Sequence, residues 1–172
     1  MNLAKVKKIS VVGNSGSGKS TLSRILGKEF GIAVLTVDKV YWQQGWKLRP
    51  REEYQEIRDA WLSSDSWIID GVGYWEEMQQ RLLQSDVVIF LDVSEDICIE
   101  RAETRIEAEK FSPNQNVATG CIYGEVRSQQ MEMIKHFHES LRPKLVSLLS
   151  GFGSGKVLTV RSQDDLNIVN ET

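Results

Sequence analysis

Ile9-Ser10-Val11-Val12-Gly13-Asn14-Ser15-Gly16-Ser17-Gly18-Lys19-Ser20-Thr21 is the stretch that decides how this chain folds. Its first four residues are a short, largely apolar run, the pattern of a strand covered on both faces. From Lys19 onward, Leu22, Ile25, Leu26 and Phe30 fall on one face of a helix, and Gly31 ends it. Between strand and helix, Gly13 to Ser20 reads G-x-x-x-x-G-K-S. The glycines permit a tight loop whose N–H groups turn inward, and the helix N-terminus adds its own positive potential. Such a cradle suits an anion of several charges, so the phosphates of a nucleotide are the expected ligand. Gly13, Ser15, Gly16, Ser17, Gly18, Lys19, Ser20 and Thr21 are the expected contacts. Lys19 is placed to reach the terminal phosphates, and the Ser20 hydroxyl to ligand Mg²⁺.

Outward from the loop, short apolar runs alternate with helical stripes. Residues 33–37 (AVLTV), 67–69 (WII), 87–91 (VVIFL) and 157–160 (VLTV) read as strands. Tyr54, Ile57 and Trp61 mark one helix, and Trp75, Met78 and Leu82 another. Ser94 is placed as an N-cap for a helix that carries Arg101 and Arg105. A long stripe from Val126 to Leu148 contains Pro143, which kinks or splits it. Residues 41–50 and 111–120 read as loops, and residues 164–169 as a short last helix. The alternation of strand and helix over 172 residues means one α/β domain, a mostly parallel sheet with helices on both faces.

Composition narrows the function. A hydrophobic fraction of 41% and 26% charged residues describe an ordinary globular chain. The net charge of −3 argues against a protein built to grip nucleic acid, and the only basic cluster, Lys5, Lys7 and Lys8, is thin. No apolar run is long enough for a membrane span, and the first residues lack the pattern of a secretory signal. Cys98 and Cys121 are too few for a zinc cage, so two free thiols in the cytoplasm are expected.

Three strands run into an aspartate. Asp38 and Asp70 are candidates to orient an acceptor hydroxyl, to take its proton, or to hold Mg²⁺ through water, Asp70 doing so beside Ser20. Asp92 is divided evenly between such a role and simple capping. Arg101 and Arg105 lie four apart, hence on one helix face, and lead into residues 106–126, with Arg127 just beyond. That is the layout of a lid whose three arginines close on phosphates. Arg81 either touches the acceptor or pairs with Glu77. Asp70-Gly71-Val72-Gly73 fits the D-x-x-G of GTP switches, but no N-K-x-D segment accompanies it.

The phosphate loop, the strand order, the Asp-Gly after the third strand and the arginine pair resemble the adenylate kinase and shikimate kinase group of P-loop kinases. Val37-Asp38-Lys39-Val40-Tyr41-Trp42 with Gly45-Trp46, Trp67-Ile68-Ile69-Asp70-Gly71, and Ile89-Phe90-Leu91-Asp92 are similar to the bacterial FlaR-like family, labelled DNA topology modulation protein or adenylate kinase-related kinase. The resemblance implies a three-layer α/β/α P-loop NTPase fold with a five-stranded parallel sheet in the order 2-3-1-4-5. It also implies ATP with Mg²⁺ as donor, and an adenine near residues 161–163. A substrate would lie between the second-strand loop and the third strand, touching Asp38, Trp42, Trp46, Gly71 and Arg81. Nucleoside monophosphate kinases carry arginines after both acidic positions; Tyr41 and Tyr74 stand at the corresponding places here. The expected activity is phosphoryl transfer to a small molecule other than a nucleoside monophosphate, by a monomer or homodimer. The alternative is an ATP-binding or ATP-hydrolysing regulator acting on DNA or a protein partner.

Overall fold

The computed structural model describes residues 6–153 and 155–162. Strand β1 (Lys8–Gly13) occupies the centre of a five-stranded sheet because it is buried along nearly its whole length. It pairs in parallel with β5 (Trp67–Asp70) on one side and β6 (Val87–Leu91) on the other. Strands β2 (Val34–Thr36) and β7 (Val157–Val160) pair in parallel at the two edges. The spatial order is β2-β5-β1-β6-β7, which is 2-3-1-4-5 when only strands of this sheet are numbered. The registers Val11↔Asp70 and Gly13↔Leu91 bring the strand ends to one edge, where the phosphate loop, Asp70 and Asp92 emerge.

Side chains alternate between the two faces, as the period of two requires. Ile9, Val11, Ile68, Val87, Ile89 and Leu91 pack with Leu22 and Leu26 of helix α1 (Lys19–Phe30), Cys98 and Ala102 of α5 (Glu95–Glu109), and Ile134 of α6 (Arg127–His136). On the opposite face, Val12, Val88 and Phe90 meet Met78 and Leu82 of α4 (Trp75–Gln84) and Leu145 and Leu149 of α7 (Arg142–Ser150). Leu35, Trp67 and Ile69 meet Tyr54 and Leu62 of α3 (Arg51–Leu62). The result is the expected α/β/α sandwich. No described helix is long and apolar enough to cross a membrane.

Two local expectations are corrected. The second strand stops at Thr36, and Val37–Tyr41 coil into a short helix, α2, which puts Asp38 in its first turn. Residues 41–50 are not an open loop. Trp42–Gln43 (β3) and Lys47–Leu48 (β4) form an antiparallel hairpin, turned through Gly45 and Trp46 at φ +71° and +58°. The long helical stripe does break, but at a π turn over Phe137–Leu141, ahead of Pro143. In a regular helix the ring of Pro143 would collide with the carbonyl of residue 139, and the wider turn just before it relieves that clash. Helix α5 starts after Ser94 as expected, without a capping bond from its hydroxyl, and runs to Glu109, taking in the first residues assigned to the lid. The proposed helix 164–169 lies outside the described residues.

Asp92 is a structural residue. Arg142 grips its carboxylate at 2.6 and 3.0 Å, and Arg161 reaches it at 3.3 Å. Burial works against its charge, but these two arginines carry its carboxyl below the ordinary range. The pair ties α7 to the end of β6.

Gly27 sits inside α1, where alanine is ordinarily better by about 1 kcal/mol. A Cβ there would run into Val34 Cγ2 and lie 3.0 Å from the Ile32 carbonyl oxygen, because α1 packs closely on the sheet edge. Gly27→Ala is therefore expected to destabilise the protein by about 1–3 kcal/mol in urea unfolding, with Val34→Ala relieving part of the loss in the double variant.

Candidate active site

The chain leaves β1 at Gly13 and enters α1 at Lys19 through a loop stretched over the N-terminal part of α5. Gly16 has φ +81°, and a Cβ on it would overlap the carbonyl oxygen of Cys98. Only glycine allows that approach. Asn14 fixes the loop from the other side. Its amide donates to the Ile134 carbonyl at 2.9 Å, and its side-chain oxygen accepts from the Ser15 N–H at 2.7 Å. The motif treats this position as arbitrary; here it is a buried anchor onto α6.

Lys19 folds over the loop and donates to the Asn14 carbonyl at 2.6 Å. Burial lowers its pKa, while Asp38 and Asp70 oppose that shift. Asp70 is 1% exposed and accepts from Thr36 Oγ1 at 3.2 Å and from Ser20 Oγ at 3.4 Å. Burial pushes its pKa up to about 6; Asp38 adds to the rise, and Lys19, Thr36 and Ser20 pull the other way. Burial also raises Asp38, against the attraction of Lys19 and Arg105. Lys19, Asp38 and Asp70 thus form one electrostatic unit, contributed by the loop, by α2 and by the end of β5.

The arginines divide. Arg105 donates to Ser15 Oγ at 3.1 Å, and its guanidinium lies 3.9 Å from the centre of the Tyr123 ring. Arg101 reaches the Ser17 carbonyl at 3.4 Å. Both therefore stand on the phosphate loop. Arg127 does not: it is bound to Glu103 at 2.8 Å, on the solvent side of the α5–α6 pair. Arg81, expected at the substrate, is 3% exposed and donates to the Gly71 carbonyl at 2.6 Å from within the fold. Burial lowers its pKa to about 10. Glu77, its expected partner, is held instead by Arg58 at 3.2 Å and Arg51 at 3.3 Å. Arg81 props the turn after Asp70.

A cleft of ≈ 520 Å³ opens beside this unit. Gly13, Ser15, Lys19, Asp38 and Gly71 form its polar end, and Tyr41, Trp42, Trp46, Tyr123 and Phe137 much of its apolar wall. Trp42 and Trp46 meet edge to face at 5.6 Å, and Trp46 continues onto Tyr123 at 4.8 Å. The Trp46 indole donates to the Ile122 carbonyl at 3.0 Å, and Gly45 N–H to the Gly120 carbonyl at 3.1 Å. The hairpin and the segment after α5 therefore close the cleft together. Gln130, absent from any sequence signal, is 4% exposed, lines the cleft and donates to Ser15 Oγ at 3.3 Å.

Residues 9–119 match the AAA_18 family model, described as an AAA domain. The chain belongs to that family. The uncharacterized protein YqaC of Bacillus subtilis (strain 168) is 29% identical over 126 residues, 71% of this chain and 68% of that one. Threonine synthase-like 1 of Mus musculus is 37% identical over 51 residues, 30% of this chain and 7% of that protein. Shikimate kinase from Acinetobacter baumannii, solved in complex with shikimate, superposes with a TM-score of 0.62 at 13% identity, over 98% of this chain and 92% of that one. Shikimate kinase from Bacteroides thetaiotaomicron gives 0.58 at 11% identity, over 96% and 97%. The AAA_18 chain shares the P-loop kinase-like fold of these enzymes.

In this AAA_18 protein without nucleotide, ionised Asp70 opposes folding. Its folded-state pKa of about 6 exceeds the ordinary 3.8, so the folded state holds the proton more tightly. Stability contributed by this group is full below the unfolded value and falls as pH rises through the folded one. Asp70→Asn is expected to be more stable than the parent above pH 6, by on the order of 2 kcal/mol, with a flatter stability profile between about pH 4 and 6. Urea unfolding across that range checks it.

Proposed function

We propose that this protein is an ATP-dependent phosphotransferase acting on the hydroxyl of a small molecule. The observation that carries the reading is that Lys19 and Asp38 line the polar end of an aromatic cleft, that Asp70 lies buried within reach of Ser20 of the phosphate motif, and that both carboxylates feel the charge of Lys19. Phosphoryl transfer needs charges of both signs in place around the moving group.

The donor set fits MgATP. Ser20 Oγ and an Asp70 oxygen lie 3.4 Å apart, a hydroxyl and a carboxylate suited to Mg²⁺, the carboxylate through water. Among the described residues no three His, Cys, Asp or Glu converge to hold a metal by themselves, so the remaining ligands of a cation here would come from phosphate oxygens. When bound, MgATP supplies the phosphoryl group and neutralises its charge. The loop amides and Lys19 hold the phosphates, and Arg101 and Arg105 stand over them. Asp38 orients the acceptor hydroxyl and accepts its proton; its raised pKa keeps the group in reach of that task. The aromatic walls exclude water. Tyr41 and Tyr74, 5.0 Å apart, stand where nucleoside monophosphate kinases place arginines, which favours another acceptor.

Coupled ADP release with a metabolite panel tests this proposal. Lys19→Ala is expected to lower kcat/KM by about 10²-fold or more, and Arg105→Ala to lower kcat by about 10²-fold. Arg127→Ala, already paired with Glu103 away from the loop, is expected to stay within about threefold of the parent. Loss of activity in Arg127→Ala equal to that in Arg105→Ala would place all three arginines on the phosphates.

A further inference from the structure

The walls of the cleft say which acceptors it excludes. Beyond the polar end, its surface is Tyr41, Trp42, Trp46, Met133, Phe137 and Leu141, with two uncharged amides, Gln129 and Gln130. Among the described residues that line it, Lys19 is the one cation, and that lysine faces the phosphate loop. Asp38 adds a negative charge at the place where a hydroxyl must arrive. Three arginines outside the lining are engaged elsewhere. Arg49 donates to the Val40 carbonyl at 2.6 Å and pairs with Glu53 at 3.3 Å. Arg51 pairs with Glu77 and covers the Tyr74 ring at 4.7 Å, and Arg81 holds Gly71.

An acceptor carrying a carboxylate or phosphate would lose part of its hydration on entering this cleft and find no cation on the lining beyond the phosphate end, Arg105 being held at Ser15 and against the Tyr123 ring. A flat or ring-shaped neutral body would instead gain offset and edge contacts with the aromatic side chains. Resting on the kinase reading above, we propose that the acceptor is an uncharged alcohol with an aromatic or otherwise apolar ring. Its hydroxyl oxygen forms the new bond to the terminal phosphorus of ATP as the bond from that phosphorus to the bridging oxygen breaks. The hydroxyl proton passes to Asp38 and then to solvent, and ADP leaves.

Matched pairs differing only in charge test this on the full chain with Mg²⁺. They are uridine and uridine monophosphate, methyl shikimate and shikimate, and 4-(hydroxymethyl)benzamide and 4-(hydroxymethyl)benzoate. Binding is followed by tryptophan fluorescence in the presence of a non-hydrolysable ATP analogue, and transfer by ADP release and phosphorus NMR of the product. At least one neutral member is expected to bind and be phosphorylated, exceeding its anionic twin by about tenfold or more in kcat/KM. Met133→Arg, which puts a cation in the wall, is expected to shrink that ratio by raising the anionic member. Anionic members that bind or react as well as their neutral twins overturn the inference. So does failure of every neutral member to bind while the ATP analogue does. Absence of calorimetric heat with the ATP analogue and Mg²⁺ overturns the kinase reading itself, and this inference with it.

Discussion

The backbone between Gly13 and Lys19 must pass over the start of α5 with no side chain between them. Gly16 lies against the Cys98 carbonyl, and a Cβ on Gly13 would lie 2.6 Å from the Leu91 carbonyl oxygen. The loop is thereby clamped between β6 and α5, and its N–H groups are held in a fixed array before any ligand arrives. Preorganisation of this kind is what makes a dipole cradle effective, because no reorientation is needed when the anion binds. The same clamp sets the height of α5 over the loop, so that Arg101 and Arg105, one helical turn apart, land on the Ser17 carbonyl and the Ser15 hydroxyl.

Charge is concentrated where the fold can least accommodate it. Asp38, Asp70 and Lys19 all have pKa values moved by burial toward their neutral forms, and each partly rescues another. Removing charges from water is costly unless they are paired. A P-loop site tolerates that cost because a bound nucleotide and its cation contribute the missing charges. Away from the site, two buried carboxylates are paired in a more ordinary way: Glu77 with Arg51 and Arg58, and Asp92 with Arg142.

The phosphate loop and the aromatic wall of the cleft are joined by a line of contacts. Ser15 accepts from Arg105, Arg105 stacks on Tyr123, Tyr123 meets Trp46, and Trp46 meets Trp42. Trp46 holds a φ of +58°, unfavourable for a bulky residue, and its indole bond to Ile122 and its ring contacts offset that strain. The hairpin and residues 106–123 form one packed unit, with Ile106, Val117, Cys121 and Tyr123 as its small core.

What the sequence determined alone was local. The apolar run, the glycine spacing and the helical stripe of residues 9–30 specify strand, loop and helix, since each depends on neighbours a few positions away. The shared face of Arg101 and Arg105 follows from the same short-range geometry, and the strand–helix alternation makes the sheet parallel. Tertiary structure decided what depends on distant segments meeting. It sent Arg127 to Glu103 and Arg81 to Gly71, turned an expected aromatic loop into a hairpin closed by residues 120–122, and brought Asn14 and Gln130 into the phosphate loop's support. No spacing rule connects position 15 with positions 105 and 130. Only the packing of α5 and α6 on the same sheet face brings those side chains to one hydroxyl.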